Sequence, residues 1–225
     1  MKKSAVMSIG FVLCLLSFFT LAAVELKTDK QKLSYALGAF YSLGIKQQNV
    51  DVDIPTFLQA VEDSLKKVPL HMTESEMNFV LNQYKEKLAS ERSAVASANK
   101  TAGQKFLDTN KTKADVVTLP SGLQYKIIRN SNGAKPTSDK NVKVHYKGTL
   151  IDGKVFDSSY DRGEPVSFNI ARVIKGWQEV LPLISVGSKW QVYVPSDLAY
   201  GELGRDGAIP PNSTLIYDIE LIGIN

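Results

Sequence analysis

The hydrophobic period of this chain changes once, near Val116, and the change limits what the chain can fold into. Before it, apolar residues recur at helical spacing. Leu33, Leu37, Tyr41 and Ile45 share one face, and Ile54, Phe57, Leu58, Val61 and Leu65 repeat the pattern after a turn-like stretch at 49–53. Beyond Val116 the residues alternate. Leu123, Tyr125 and Ile127 do so, as do Val142, Val144 and Tyr146, and then Val166, Phe168 and Ile170. Trp190, Val192 and Val194 follow, and Leu215, Tyr217, Ile219 and Leu221 close the series. Period two is the spacing of a strand with one face buried. Asp152-Gly153 is a hairpin turn signal between two such runs. Only Val173–Ile184 returns to helical spacing, with Trp177, Val180, Leu181 and Ile184 on one face. The expected fold class is therefore α+β: an N-terminal all-α region, then an antiparallel sheet wrapped over one short helix.

The helical part divides at its prolines and caps. Asp53 is placed to cap a second helix, Pro55 is tolerated in its first turn, and Pro69 is expected to end it. Two helices of about twenty residues each are too few to bury so much apolar surface, so a partner is implied. Thr73 with Glu76 three residues on makes a capping box for a third helix, running to about residue 110. At 1.5 Å per residue it would be on the order of 55 Å long. Its stripe of Met77, Val80, Leu81, Tyr84 and Leu88 thins to Val95, Ala98, Ala102 and Phe106. The second half then reads as a solvated connector, weakened by Gly103 by about 1 kcal/mol relative to alanine. A disordered linker over 96–115 is the alternative. The expected layout is a signal peptide at 1–23, a helical region at 24–72, a long connecting helix at 73–115 and an α+β domain at 116–225.

The N-terminus departs from an otherwise ordinary globular composition of 44% hydrophobic and 22% charged residues. Lys2 and Lys3 precede an apolar run, Ala5 to Phe19, followed by Thr20-Leu21-Ala22-Ala23. That order is a secretory signal peptide, cleaved after Ala22 or Ala23. A membrane anchor is the alternative, although the run is barely long enough to span and carries Ser8, Gly10 and Ser17. The one cysteine, Cys14, lies in this run behind Leu13 and would leave with it, so the mature chain has no disulfide to form. Loss of Lys2 and Lys3 lowers the net charge from +4 to +2. The remaining lysines are interspersed with acids, the pattern of a solvated surface rather than a nucleic-acid site.

The chemistry concentrates between Val144 and Pro211. The blocks are Val-His-Tyr-Lys-Gly-Thr-Leu-Ile-Asp-Gly-Lys-Val-Phe-Asp-Ser-Ser (144–159), Val-Ile-Lys-Gly-Trp (173–177), Ala-Tyr-Gly (199–201) and Ile-Pro-Pro (209–211). They are rich in aromatic residues and hold one ionisable group of clear interest, Asp157. The two histidines, His71 and His145, build no metal-ligand spacing and no Ser-His-Asp arrangement. His145 is out of phase with Val144 and Tyr146 and is expected to point away from them. The Gly201–Gly207 stretch runs into Ile-Pro-Pro rather than a helix, which argues against a phosphate loop. An aromatic, nearly uncharged cleft suits a reaction that breaks no covalent bond and needs no cofactor or metal.

In order and spacing these blocks resemble an FKBP-type peptidyl-prolyl cis/trans isomerase domain, over about half of the chain. The resemblance implies that Trp177 forms a pocket floor beneath a proline ring, walled by Tyr146, Phe156, Phe168, Val173, Ile174, Ile209 and Tyr217. It implies that the Ile174 N–H and the Tyr200 hydroxyl hold substrate carbonyls. Asp157 would sit at the rim, braced by Tyr146 and Arg162. On spacing alone, plain core packing is the better reading of each apolar residue, and the resemblance reverses it for Trp177, Phe156 and Tyr146. Val166 stands where phenylalanine is common in small cytosolic members, Tyr217 where phenylalanine is usual, and Arg205-Asp206 where a His-Pro pair occurs. Ala208 replaces a larger aliphatic residue. FK506-like macrocycles are implied as ligands, and the polar flap over residues 201–209 lowers the affinity expected for them.

The Tyr35-Ala36-Leu37-Gly38 block and the long third helix are similar to the macrophage infectivity potentiator and FkpA branch of that family. The branch implies a homodimer formed through the N-terminal helices. It also implies an envelope location, periplasmic or else at the outer membrane or cell surface, and proline-containing or unfolded proteins as partners. A holdase chaperone and a host-interaction module are the alternatives.

Overall fold

The computed structural model describes residues 25–47, 50–205 and 207–225. The signal peptide expected at 1–23 lies outside them, as do Asn49 and Asp206. The chain divides into two units after His71.

The first unit holds α1 (Asp29–Gln47) and α2 (Ile54–Lys66). Asp53 caps α2 by accepting from the Thr56 N–H at 3.0 Å, and Pro55 occupies the first turn, where its missing donor costs nothing. The helix stops before Pro69 can end it. Lys67 turns left-handed at φ 57° and gives its N–H to the Asp63 and Ser64 carbonyls. No side chain of α1 is buried. Phe40 on α1 is 73% exposed and Leu65 on α2 is 80% exposed.

The second unit opens with α3 (Glu74–Asn110), whose capping box forms as the sequence predicts. Thr73 Oγ1 accepts from the Glu76 N–H at 3.3 Å, and the Thr73 N–H donates to Glu76 Oε2 at 2.8 Å. The first half of α3 is almost wholly exposed. The second half is not the solvated connector expected. From Ala96 onward, one face packs on the rest of the unit, burying Gly103, Leu107 and Asn110. A Cβ at Gly103 would collide with Thr214, so the glycine sets how closely the helix approaches. Asn110 Nδ2 donates to Gln124 Oε1 at 3.0 Å, and Gln124 Nε2 donates to the Leu107 carbonyl at 2.9 Å. The Phe106 ring lies 5.9 Å from Tyr193. Small and amide side chains make most of these contacts, and a hydrophobic period does not register them.

Among the described residues, seven strands form one antiparallel sheet: β1 (Val116–Thr118), β2 (Gln124–Arg129), β3 (Asn141–Leu150), β4 (Val155–Ser158), β5 (Val166–Asn169), β6 (Lys189–Val194) and β7 (Leu215–Ile224). The order is β1-β2-β6-β7-β3-β4, and β5 pairs with the first half of β3. The expected alternation holds along β3 and β7. Val142, Val144, Tyr146 and Leu150 point into the core, opposite Leu215, Tyr217, Ile219 and Leu221. It fails on β2, where Leu123 just before the strand is fully buried but Ile127 is 45% exposed. The register of β2 slips between Ile127 and Arg129, and β1 covers only the first half of the strand.

One short helix, α4 (Lys175–Val180), fills the inner face of the sheet. Gly176 lets it close on the sheet, since a Cβ there would lie 2.5 Å from Val194 Cγ1. Pro182 cannot continue an α-helix, and Leu181–Leu183 tightens to a 3₁₀ turn that still buries Leu181. The helix begins at Lys175, leaving Val173 and Ile174 extended. The described fold is α+β, with a helical N-terminal region and an antiparallel sheet.

Candidate active site

Five elements bring the aromatic residues together. Trp177 rises from α4 and is 4% exposed. Its ring meets Tyr146 of β3 at 5.3 Å and 86°, Phe168 of β5 at 5.7 Å and 89°, and Tyr217 of β7 at 5.1 Å and 77°. All three rings meet the indole nearly at right angles, the edge-to-face geometry that aromatic quadrupoles favour. Phe156 of β4 packs edge-on to Tyr217 at 5.6 Å and 88°. Val173, Ile174 and Tyr200 are half-buried against this cluster, while Ile209 is 3% exposed within it.

A polar rim adjoins the rings. Tyr146 donates its hydroxyl proton to Asp157 Oδ2 at 2.6 Å. Arg162 reaches both partners, donating from Nη1 to Asp157 Oδ1 at 2.5 Å and from Nη2 to the Tyr146 hydroxyl at 2.9 Å. Its guanidinium also lies 5.6 Å from the Tyr146 ring centre. Burial alone would raise the Asp157 carboxyl. The hydrogen bonds from Tyr146 and Arg162, with the guanidinium charge, outweigh it and hold the group below its ordinary range. The Tyr146 phenol is raised, first by burial and then by its bond to the Asp157 carboxylate. Burial lifts the Tyr217 phenol far above its usual value. At neutral pH the rim is therefore one carboxylate matched by one guanidinium, beside phenols that stay protonated.

The loop after β6 supplies the remaining wall. A 3₁₀ turn at Ser196–Leu198 leads to Tyr200, and Arg205 and Ile209 pair across the flap through two N–H···O bonds of 2.8 Å. Gly204, at φ 65°, passes too close to the Pro210 carbonyl carbon for any side chain. At the other end, the Ile174 N–H takes part in none of the backbone hydrogen bonds among the described residues. His145 points away from the rings, as its phase requires: it stacks on Tyr160 at 4.6 Å and bonds Ser159 Oγ at 3.0 Å. Among the described residues, no group of three or more His, Cys, Asp or Glu side chains is placed to hold a metal ion.

Three residues that sequence reasoning missed shape this site. Gly148 faces inward on β3, where a Cβ would lie 2.5 Å from Phe156 Cζ and 2.9 Å from Tyr217 Cε1. Its missing side chain is the space the two rings occupy. A glycine at an inward step of an alternating strand was the available signal. Ser159 fixes the backbone of Tyr146: its Oγ accepts from the Tyr146 N–H at 2.8 Å, and its own N–H donates to the Tyr146 carbonyl at 2.9 Å. Gln178 Nε2 donates to the Val173 carbonyl at 2.7 Å and so pins the extended lead into α4. Nothing in the spacing of Ser159 or Gln178 marks them.

Comparison with known proteins agrees with this geometry. The family model described as FKBP-type peptidyl-prolyl cis-trans isomerase matches residues 132–222, and that of the domain amino terminal to such isomerases matches residues 30–127. The outer membrane protein MIP of Legionella longbeachae is 45% identical over 206 residues, covering 90% of this chain and 88% of that protein. The peptidyl-prolyl cis-trans isomerase Mip of Coxiella burnetii is 40% identical over 207 residues, covering 90% of both. The crystal structure of FkpA from Escherichia coli matches with a TM-score of 0.62 at 34% identity, over 89% of this chain and 99% of that one. With an aromatic cluster on an antiparallel sheet and matches of this extent along the chain, the protein belongs to the FKBP-type peptidyl-prolyl cis-trans isomerase family.

Proposed function

We propose that this isomerase speeds the folding of envelope proteins by twisting their Xaa-Pro bonds over Trp177, with Asp157, Tyr146, Phe156 and Tyr200 acting on the substrate. Rotation about such a bond faces a barrier of about 18–20 kcal/mol, because the planar amide is stabilised by resonance. A useful acceleration of about 10⁴-fold asks for only about 5.5 kcal/mol. The twisted amide has lost conjugation and charge separation, so a water-poor aromatic pocket favours it over the planar form. Trp177 is the floor, and Phe168, Val173, Ile174, Ile209 and Tyr217 enclose the proline ring. The Ile174 N–H and the Tyr200 hydroxyl fix substrate carbonyls as the bond turns. Arg162 keeps Asp157 ionised and in place at the rim.

One observation carries this reading: a buried tryptophan ringed edge-on by three aromatic side chains, next to a carboxylate already neutralised by its own guanidinium. Such a site offers low polarity and oriented donors rather than a nucleophile. FK506-like macrocycles would compete for the same floor, weakly under the polar flap.

The exposed apolar faces of α1 and α2 support a homodimer formed through them, since side chains such as Phe40 and Leu65 need cover. The basic and apolar order of residues 1–23 supports export and removal of that segment. No helix among the described residues is long and apolar enough to cross a membrane. The periplasm is the location proposed, with the outer membrane or cell surface as the alternative. The same exposed faces favour a second reading, in which client holding matters more than turnover.

Prolyl isomerisation measured on a short peptide and on a slowly refolding protein, with the full chain and with residues 116–225, separates the two. The isomerase reading expects the fragment to retain peptide activity and to lose most of its advantage on the protein. A full chain that suppresses aggregation but leaves both prolyl reactions at their spontaneous rates would leave only the holding function.

A further inference from the structure

Within the second unit, one stripe of α3 reaches both ends of the flap. Arg92, Ala96, Asn99 and Gly103 fall at the three- and four-residue steps that place neighbours on one helix face. Arg92 Nη2 donates to the Leu203 carbonyl at 2.7 Å. Asn99 Nδ2 donates to the Pro211 carbonyl at 2.8 Å. The Ala96 carbonyl accepts a longer bond, 3.4 Å, from Asn212 Nδ2. Gly103 lies against Thr214, with no room for a side chain between them.

Asn212 carries these contacts onward. It is buried and left-handed at φ 54°, a conformation that asparagine tolerates better than most residues. Its backbone N–H donates to the Gly201 carbonyl at 2.8 Å, and the Gly201 N–H donates to the Ser196 carbonyl at 2.9 Å. The residue directly after Tyr200 is therefore held at both its backbone groups. At the other end Ile209, in the aromatic cluster, stands two residues before the carbonyl that Asn99 holds. The two side chains that this loop gives the proposed pocket, Tyr200 and Ile209, thus adjoin backbone tied to α3 directly or through Asn212.

We propose that Asn99 is a positioning residue of the isomerase, acting through Pro211 and the Asn212–Gly201 bond to set the Tyr200 hydroxyl against the substrate carbonyl. A donor aimed at a turning amide is worth most when it needs no reorganisation, and small misplacements cost rate. Tyr200 sits on a loop, where side chains are held less closely than on a helix. The 37-residue helix α3 supplies the rigid frame that the loop itself lacks. The floor at Trp177 and the rim at Asp157 stand on other elements, so loss of the anchor lowers turnover without abolishing it. The inference deepens the isomerase reading and rests on it.

The test is kcat/KM of the full-length protein on a short Xaa-Pro peptide, for Asn99→Asp and Asn99→Ala, each with and without Tyr200→Phe. Asn99→Asp keeps the size of the side chain but turns an acceptor towards the Pro211 carbonyl, so packing survives and the bond does not. Asn99→Ala removes both and gains helix propensity, which favours a folded chain; urea unfolding checks that each variant is folded under assay conditions. Both are expected to lower kcat/KM about three- to tenfold, the range of one net hydrogen bond. With Tyr200→Phe present, the same substitutions are expected to change it by less than about twofold, because no hydroxyl is left to position. Such a double-mutant cycle separates positioning from simple weakening of the fold, which would lower both backgrounds alike. Wild-type kcat/KM from either Asn99 variant would overturn the inference, as would equal losses in the two backgrounds or a Tyr200→Phe protein as active as the wild type. A wild type that fails to turn over the peptide would refute the isomerase reading itself.

Discussion

Asp157 joins the rim and the rings, and its chemistry is set by neighbours rather than by its place in sequence. Its folded pKa lies below the ordinary 3.8, held there by Tyr146 and Arg162 against the opposing effect of burial. A depressed carboxylate stabilises the fold fully above the unfolded value, and that contribution is lost as pH falls through the lower folded one. The denaturation midpoints of wild type and Asp157→Asn are therefore expected to differ at pH 7 and to converge as pH drops well below 3.8. A gap that widens on acidification would contradict the assignment. Gly148 makes a second prediction at this scale. Gly148→Ala drives a methyl group into Phe156 and Tyr217, and overpacking of this kind costs about 1–3 kcal/mol. Urea unfolding reads the loss. The peptide assay is expected to fall with it, because the two rings that must move belong to the proposed pocket.

At the scale of elements, the sequence made some features plain and hid others for physical reasons. The inward faces of β3, β6 and β7, the capping box at Thr73 and the four buried residues of the α4 segment follow from period and side-chain chemistry. The aromatic residues of the candidate site were singled out by their resemblance to a known family, since spacing alone marks them only as core. Ile127 misled because alternation cannot report a register slip. The docked half of α3 was invisible because Gly103, Asn99 and Asn110 make contacts that carry no hydrophobic signal. Gly103 tests that correction. In an exposed helix, Gly→Ala gains about 1 kcal/mol from propensity. Here Gly103→Ala is expected to destabilise by about 1 kcal/mol or more, because the Cβ meets Thr214. Thermal unfolding of Gly103→Ala, alone and with Thr214→Ala, decides it. A stabilised single variant would return the second half of α3 to solvent.

The chain holds a helical unit rich in exposed apolar surface and a second unit that carries the proposed pocket. Full-length protein is expected to scatter light as a dimer at micromolar concentration, and Phe40→Asp on α1 is expected to drive it towards the monomer. A wild-type monomer would remove the case for self-association. The second unit carries its own core, yet a fragment starting at residue 116 loses Phe106, Leu107 and Asn110. Burial of one leucine is worth about 1.5–3 kcal/mol. The fragment is therefore expected to unfold at lower urea than one beginning at Met72, while keeping its pocket.

The central claim is that an apolar floor and a braced rim perform the isomerisation. The most direct measurement is kcat/KM for cis-to-trans isomerisation of a short Xaa-Pro peptide by Asp157→Ala/Phe156→Ala, with near-UV circular dichroism showing that the fold is retained. Trp177→Ala is a poorer choice, because losing a buried tryptophan costs about 3–5 kcal/mol and threatens the fold. The expected result is a fall of about tenfold or more, equivalent to at least about 1.4 kcal/mol of transition-state stabilisation. Wild-type kcat/KM from the folded double variant would contradict the account.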